Sequence, residues 1–472
     1  MAGGAETNPL LAYGGWLADT ADAWPGEALD AARNAFVDTL GVSIPGAAEP
    51  VTGKVFATVR PWGAGPCTAI GSDQRLAAPW AALVNGTAAH ALDFDDNFDP
   101  AQAHASAVLV PAILALAEQE SASGRACLDA YIAGLQIMGR VGQGVNPAHR
   151  NRGWHATATV GAIGAAAACA RLLRLPAREA AYALSIATSM AAGSMAQFGT
   201  MAKPLHAGLA AKAGVMAASL ASAGIDAGLG TLDGATGINR LMVGPDLEEL
   251  RAALTHIEHG QTLRFETNAV GEPLLLASSG LKVKRFPNCG SAHRAMDGLL
   301  ALIEAHGFGA AEIAEVRVAA PASHLANLMY EDPRTPAQAK FSLEYGLAMI
   351  ALHRRCALAD FAADAVMAPA PRAFYPRVRR IPVDKGEGEF PTRVEALLDD
   401  GSVHRIDVEM PVGSLAAPLT ERQYGTKFDE CAAGFVPPGE LADLKGELSV
   451  LGDLTSIAPV MDRLAHEWMH HG

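Results

Sequence analysis

From about Gly26 to Asp246, apolar residues recur at three- and four-residue spacing almost without interruption. That period belongs to helices with one buried face. It recurs in Leu29–Leu40, Ala77–Ala91, Ala105–Gln119, Ala126–Gly142, Ala156–Leu173, Ala177–Ala192 and Leu205–Ala223, with turn signals such as Leu175-Pro176 and Gly224 between them. Small residues crowd these segments, as in Gly161-Ala162-Ile163-Gly164. They read as packing positions where helix backbones approach closely. Half of the chain is apolar but only 6% is aromatic, which favours tightly packed helices over a β-sandwich.

The pattern changes after about Ser278. Val316–Ala320, Val378–Val383 and Val394–Leu398 are β-branched and strand-like, and the last meets Val403–Met410 across Asp399-Asp400-Gly401, a hairpin signal. After Pro418 the helical pattern returns, through Leu441–Leu451 and Leu454–Trp468. The expected fold is mainly α: a large helical domain over 1–277 and 416–472, with a smaller α/β domain over 278–415 inserted in it.

A net charge of −14 without a sustained Lys/Arg run argues against a nucleic-acid surface. Six scattered cysteines show no CxxC spacing, so neither a disulfide framework, a zinc site nor an iron–sulfur cluster is expected. The amino terminus lacks a signal-peptide pattern and the apolar stretches fall short of a membrane span, so the expectation is a soluble cytoplasmic protein with no membrane partner.

Chemistry concentrates in four short segments. The first, His90 to His104 (HALDFDDNFDPAQAH), places Asp93, Asp95, Asp96, Asp99 and two imidazoles beside an apolar stretch, the setting in which pKa values are tuned for proton transfer. Its Asp95-Asp96-Asn97-Phe98-Asp99 has the spacing of a magnesium–diphosphate motif, but no second motif and few aromatics accompany it. The second is Gly153-Trp154-His155. The third, Lys203-Pro204-Leu205-His206, puts Lys203 and His206 at a helix start, where Pro204 is a start signal and free N–H groups favour an anion. The fourth is Lys282–His293 (KVKRFPNCGSAH), the densest basic cluster, near the junction of the two domains.

These segments in this order resemble the MmgE/PrpD family: His90–Asp96 with His104-Ala105-Ser106, then Gly153–Gly164, Gln197–Gly214, Lys284–His293 and Gln338–Tyr345. The resemblance covers most of the chain. It implies a helical domain with an inserted α/β lid, a homodimer, no metal or organic cofactor, and a small di- or tricarboxylate as substrate. Carried over by position, the catalytic residues fall on Asp93, His104, His155, Lys203 and Lys284. Asn97, His206, Arg285, Cys289 and Tyr330 become substrate-binding candidates. Asn97 stands where decarboxylase-type members have Thr, His104-Ala105-Ser106 replaces His-Pro-Ser, and Cys289 takes a position that is His in the decarboxylases. The expected reaction is therefore proton transfer next to a carboxylate, read first as dehydration of a 2-methylcitrate-like hydroxy acid. Decarboxylation of a cis-aconitate-like acid and epimerisation of an iminodisuccinate-like acid are the alternatives, and a catalytically inactive carboxylate-binding relative stands behind them.

Overall fold

The computed structural model describes residues 8–254, 257–384 and 391–468. The chain divides into two compact units, residues 1–281 with 427–472, and residues 282–426. No helix among the described residues is long and apolar enough to cross a membrane.

The first unit is built around four helices, Ala78–Ala91, Gly124–Val145, Ala156–Leu172 and Ala202–Ser222. Ala202–Ser222 packs on both Ala78–Ala91 and Ala156–Leu172, and Gly124–Val145 packs on Ala156–Leu172. Their facing positions are Gly and Ala because nothing larger fits. A Cβ on Gly208 would lie 2.2 Å from the Leu83 carbonyl oxygen and 2.5 Å from Thr87 Oγ1. One on Gly86 would lie 2.8 Å from Gly208 Cα, and one on Gly214 would lie 2.3 Å from Ala165 Cβ. The alanine-rich composition is thus a packing requirement, since protein interiors leave no slack for added carbons. A two-stranded antiparallel ribbon, Ala64–Thr68 with Arg75–Leu76, also belongs to this unit.

The helix expected over Leu454–Trp468 forms only in part: Leu451–Asp453 is a 3-10 turn and Ala458–Asp462 a short helix. Tertiary contacts override the local pattern here. Trp468 donates its backbone N–H to Gly71 O at 3.1 Å and its indole N–H to Ile44 O at 3.2 Å, while Gly71 N–H bonds Leu464 O at 3.0 Å. A continuing helix would carry Trp468 away from these acceptors.

The second unit holds a four-stranded sheet in the order Val378–Val383, Ile313–Pro321, Thr392–Leu398, Val403–Val408. The first pair is parallel and the other two are antiparallel. The hairpin turns at Gly401, with φ +86°, and Asp400 Oδ1 accepts the Ser402 N–H at 2.8 Å. The helix His293–His306 lies on this sheet, and Gly298 lets it approach: a Cβ there would lie 2.8 Å from Val394 Cγ2.

Replacing Gly208 by Ala should lower unfolding free energy by about 1–3 kcal/mol, the usual cost of overpacking, whereas Ala at the open Gly439 should be near neutral. Urea unfolding of both variants checks this.

Candidate active site

The segment between the helices Ala78–Ala91 and Ser106–Glu120 folds back on itself. Asp93 takes a left-handed conformation, φ +54°, just after the first helix ends, a turn that Asp tolerates better than most residues. Phe98 and Ala103 then exchange backbone hydrogen bonds of 2.8 and 3.3 Å. The reversal lays the His104 ring against His90, with centroids 4.4 Å apart. Asp96 caps the second helix: its Oδ1 accepts the Ser106 N–H at 3.2 Å and its Oδ2 accepts the Ser106 hydroxyl, which lies 2.6 Å from Tyr131 OH. Lys427 holds the segment from beneath. Its ammonium is 2.7 Å from Asp38 Oδ1, donates to the Phe94 carbonyl at 2.9 Å and sits 4.1 Å from the centre of the Phe94 ring.

Asp95 is the hub. Its Oδ2 is 2.8 Å from His90 Nδ1 and 3.3 Å from His104 Nδ1. His104 Nδ1 also faces the Asp96 backbone carbonyl at 2.9 Å. A ring nitrogen facing only acceptors carries the proton, so both imidazoles are held as Nδ1–H donors with the lone pair on Nε2. His104 Nε2 lies 3.9 Å from Asp93 Oδ1, and Asp93 Oδ1 accepts from Lys203 Nζ at 2.7 Å. Lys203 and His206 come from the first turns of Ala202–Ser222.

His155 sits at the N-cap of Ala156–Leu172. Its Nδ1 is 3.0 Å from His206 Nδ1, so one of the two rings donates to the other. Phe198 packs edge-on to His155 at 4.9 Å and lies 5.4 Å from the Lys203 ammonium. His104 N–H donates to Thr157 Oγ1 at 3.1 Å, which ties the loop to the same helix.

Burial sets the charge states. It lowers His90 to about 3 against the opposing pull of Asp95, and it lowers His155 well below the usual histidine range, with Lys203 and the neighbouring imidazoles adding to the effect. Burial and then Lys203 also lower His206. Burial alone would raise Asp95, but attraction to and hydrogen bonds from His90 and His104 outweigh it and hold Asp95 well below the ordinary range. Asp96 behaves oppositely: burial raises it to about 7 despite the Ser106 bonds.

Asp93, His104, His155, Lys203 and His206 are therefore brought together within the first unit. Asn97 lies in the same loop, half-buried. Lys284, Arg285, Cys289 and Tyr330 belong to the second unit. There Lys284 is buried, and Arg285 pairs with Asp297 at 3.0 Å and lies over Phe286. Cys289 N–H bonds Lys340 O, and Tyr330 N–H bonds Phe341 O. His104 is oriented by Asp95 and the Asp96 carbonyl, while Asp93 is turned toward Lys203. His90 and Asp95 were missed as site residues. The available signal was that His90 follows Gly86 by one helical turn and so shares its face.

The raised Asp96 gives a test. With its folded pKa above the unfolded value, Asp96 contributes stability that is present below about pH 4 and lost as pH rises toward about 7. Asp96→Asn keeps both Ser106 bonds, accepting from N–H and donating to the hydroxyl. It should remove this component, so the variant gains stability relative to the parent between pH 4 and 7 in urea titrations.

Residues 16–250 match the MmgE/PrpD N-terminal domain and residues 286–447 the MmgE/PrpD C-terminal domain. The chain is 27% identical over 482 aligned positions to a cis-aconitate decarboxylase of Aspergillus terreus (strain NIH 2624 / FGSC A1156), covering 95% of this chain and 94% of the relative. It is 26% identical over 412 positions to the cis-aconitate decarboxylase of Mus musculus, covering 84% and 80%. With the Homo sapiens cis-aconitate decarboxylase it shares 39% identity over 166 residues, about a third of each chain (34% and 34%). With both domains matched in order, the chain belongs to the MmgE/PrpD family.

Proposed function

We propose that this protein is a lyase that decarboxylates a small unsaturated polycarboxylate of the cis-aconitate class, with His104 moving the proton. The observation that carries the reading is the cluster itself: a buried carboxylate behind His104, the ion pair of Asp93 and Lys203 beyond its Nε2, and a second, neutral histidine pair alongside. The relatives' names favour decarboxylation over the dehydration suggested by the sequence.

Breaking the bond to the departing carboxyl group leaves an electron pair in an allylic carbanion conjugated with a remaining carboxylate. The carbanion takes up one proton at its far carbon, the double bond shifts, and carbon dioxide leaves. The site must hold several carboxylates, stabilise the spreading charge and deliver one proton. Lys203 supplies positive charge at the first requirement. His104 suits the last, because ionised Asp95 stabilises its imidazolium form and leaves Nε2 as the atom that exchanges the proton. His155 is kept neutral by burial, so in this reading it positions substrate as a hydrogen-bond partner. The family resemblance adds Lys284 as a further cation and a homodimeric assembly. Asn97, in place of the decarboxylase-type Thr, is the position through which substrate choice would differ from those relatives.

A panel of hydroxy and unsaturated di- and tricarboxylates, read by mass, tests the chemistry. Loss of carbon dioxide from an unsaturated acid is the expected result. Loss of water from a hydroxy acid would restore the dehydration reading, and a mass unchanged in ordinary water but raised by one deuterium in heavy water would point to epimerisation. On the active substrate, His104→Ala and Lys203→Ala should each lower kcat/KM by roughly 10²–10⁴-fold with unchanged circular dichroism. Full activity in both variants would remove the assignment.

A further inference from the structure

His90, Asp93, Asp95 and His104 each offer one nitrogen or oxygen atom, and these four atoms lie within 4.8 Å of one another. Two imidazoles and two carboxylates are a donor set suited to a divalent transition ion such as zinc. Bonds of about 2.0–2.1 Å to a tetrahedral ion place its donors about 3.4 Å apart, so modest side-chain rotation would close the set. Three of the four ligands lie on the one loop between two helices. A second observation points the same way. Asp95 Oδ1 and His90 Nε2 are buried without a hydrogen-bond partner among the described residues. A carboxylate oxygen and an imidazole nitrogen left in this state are atoms able to bind a metal ion, on two of the four residues of the group.

The Lys203 ammonium, 2.7 Å from Asp93 Oδ1, already supplies positive charge to this group of acids. We propose that His90, Asp93, Asp95 and His104 form a latent transition-metal site that Lys203 holds closed. Zinc or a similar ion enters it as a competitor of the lysine and blocks the site, rather than serving the reaction. The distinctive consequence is a sign: removing Lys203 strengthens metal binding, whereas removing a ligand weakens it. This inference does not depend on which acid the protein acts on.

Cobalt titration of the full chain tests it, because a four-coordinate cobalt ion shows visible absorption that zinc abolishes on displacing it. Lys203→Met should give a saturable visible band, zinc-reversible, with affinity at least about tenfold above the parent, as expected when a nearby cation is removed. Asp93→Asn and His104→Ala, each built into Lys203→Met, should weaken that binding by about tenfold or more. Absence of a saturable band in Lys203→Met overturns the proposal, as does affinity no higher than the parent's. A band unaffected by both ligand variants also overturns it, and would place the ion elsewhere, for instance at the stacked His306 and His404 rings.

Discussion

A carboxylate buried as completely as that of Asp95 persists in its charged form only when donors meet it, and here two imidazole rings do so. That requirement organises everything around it. It fixes the proton of His90 and His104 on Nδ1, turns Nε2 of His104 toward Asp93, and leaves Asp93 available to Lys203. A single buried acid thus selects a tautomer, a ring orientation and the position of a cation.

The close helix packing makes this arrangement possible. His90 closes the last turn of Ala78–Ala91, and Lys203 and His206 open Ala202–Ser222, the helix packed against it. Gly86 and Gly208 let those two backbones approach closely, and Lys203 reaches Asp93 just beyond the end of the first helix. Asp96, its acidity weakened by burial, and Lys427, paired with Asp38, anchor the intervening loop at either end. Two buried acids one residue apart therefore have opposite roles: ionised Asp95 holds a ring, and Asp96 caps a helix.

Helical periodicity located most of the first unit, and β-branched runs located the sheet of the second, because both signals are local. The region Leu454–Trp468 defeated the same reading, since its backbone is claimed by Gly71 and its Trp468 indole by Ile44, residues hundreds of positions away. The candidate site was legible as residue types: Asp93, His104, His155, Lys203 and His206 do converge. Their pairing was not. Nothing in HALDFDDNFDPAQAH says that a left-handed turn at Asp93 sends its carboxylate to Lys203 while Asp95 takes the histidines. The alternation of roles between neighbouring acids depends on backbone angles that composition does not encode.

The central claim is that Asp95 and the Asp96 carbonyl hold His104 as the Nδ1–H tautomer, with Nε2 as the working atom. Nitrogen-15 NMR of the imidazole rings, assigned through a His104→Gln variant, measures this directly. The account predicts a protonated Nδ1 and an unprotonated Nε2 for neutral His104, and an Asp95→Asn change that shifts the tautomer balance. A proton resident on Nε2 of His104 in the unaltered protein would contradict it.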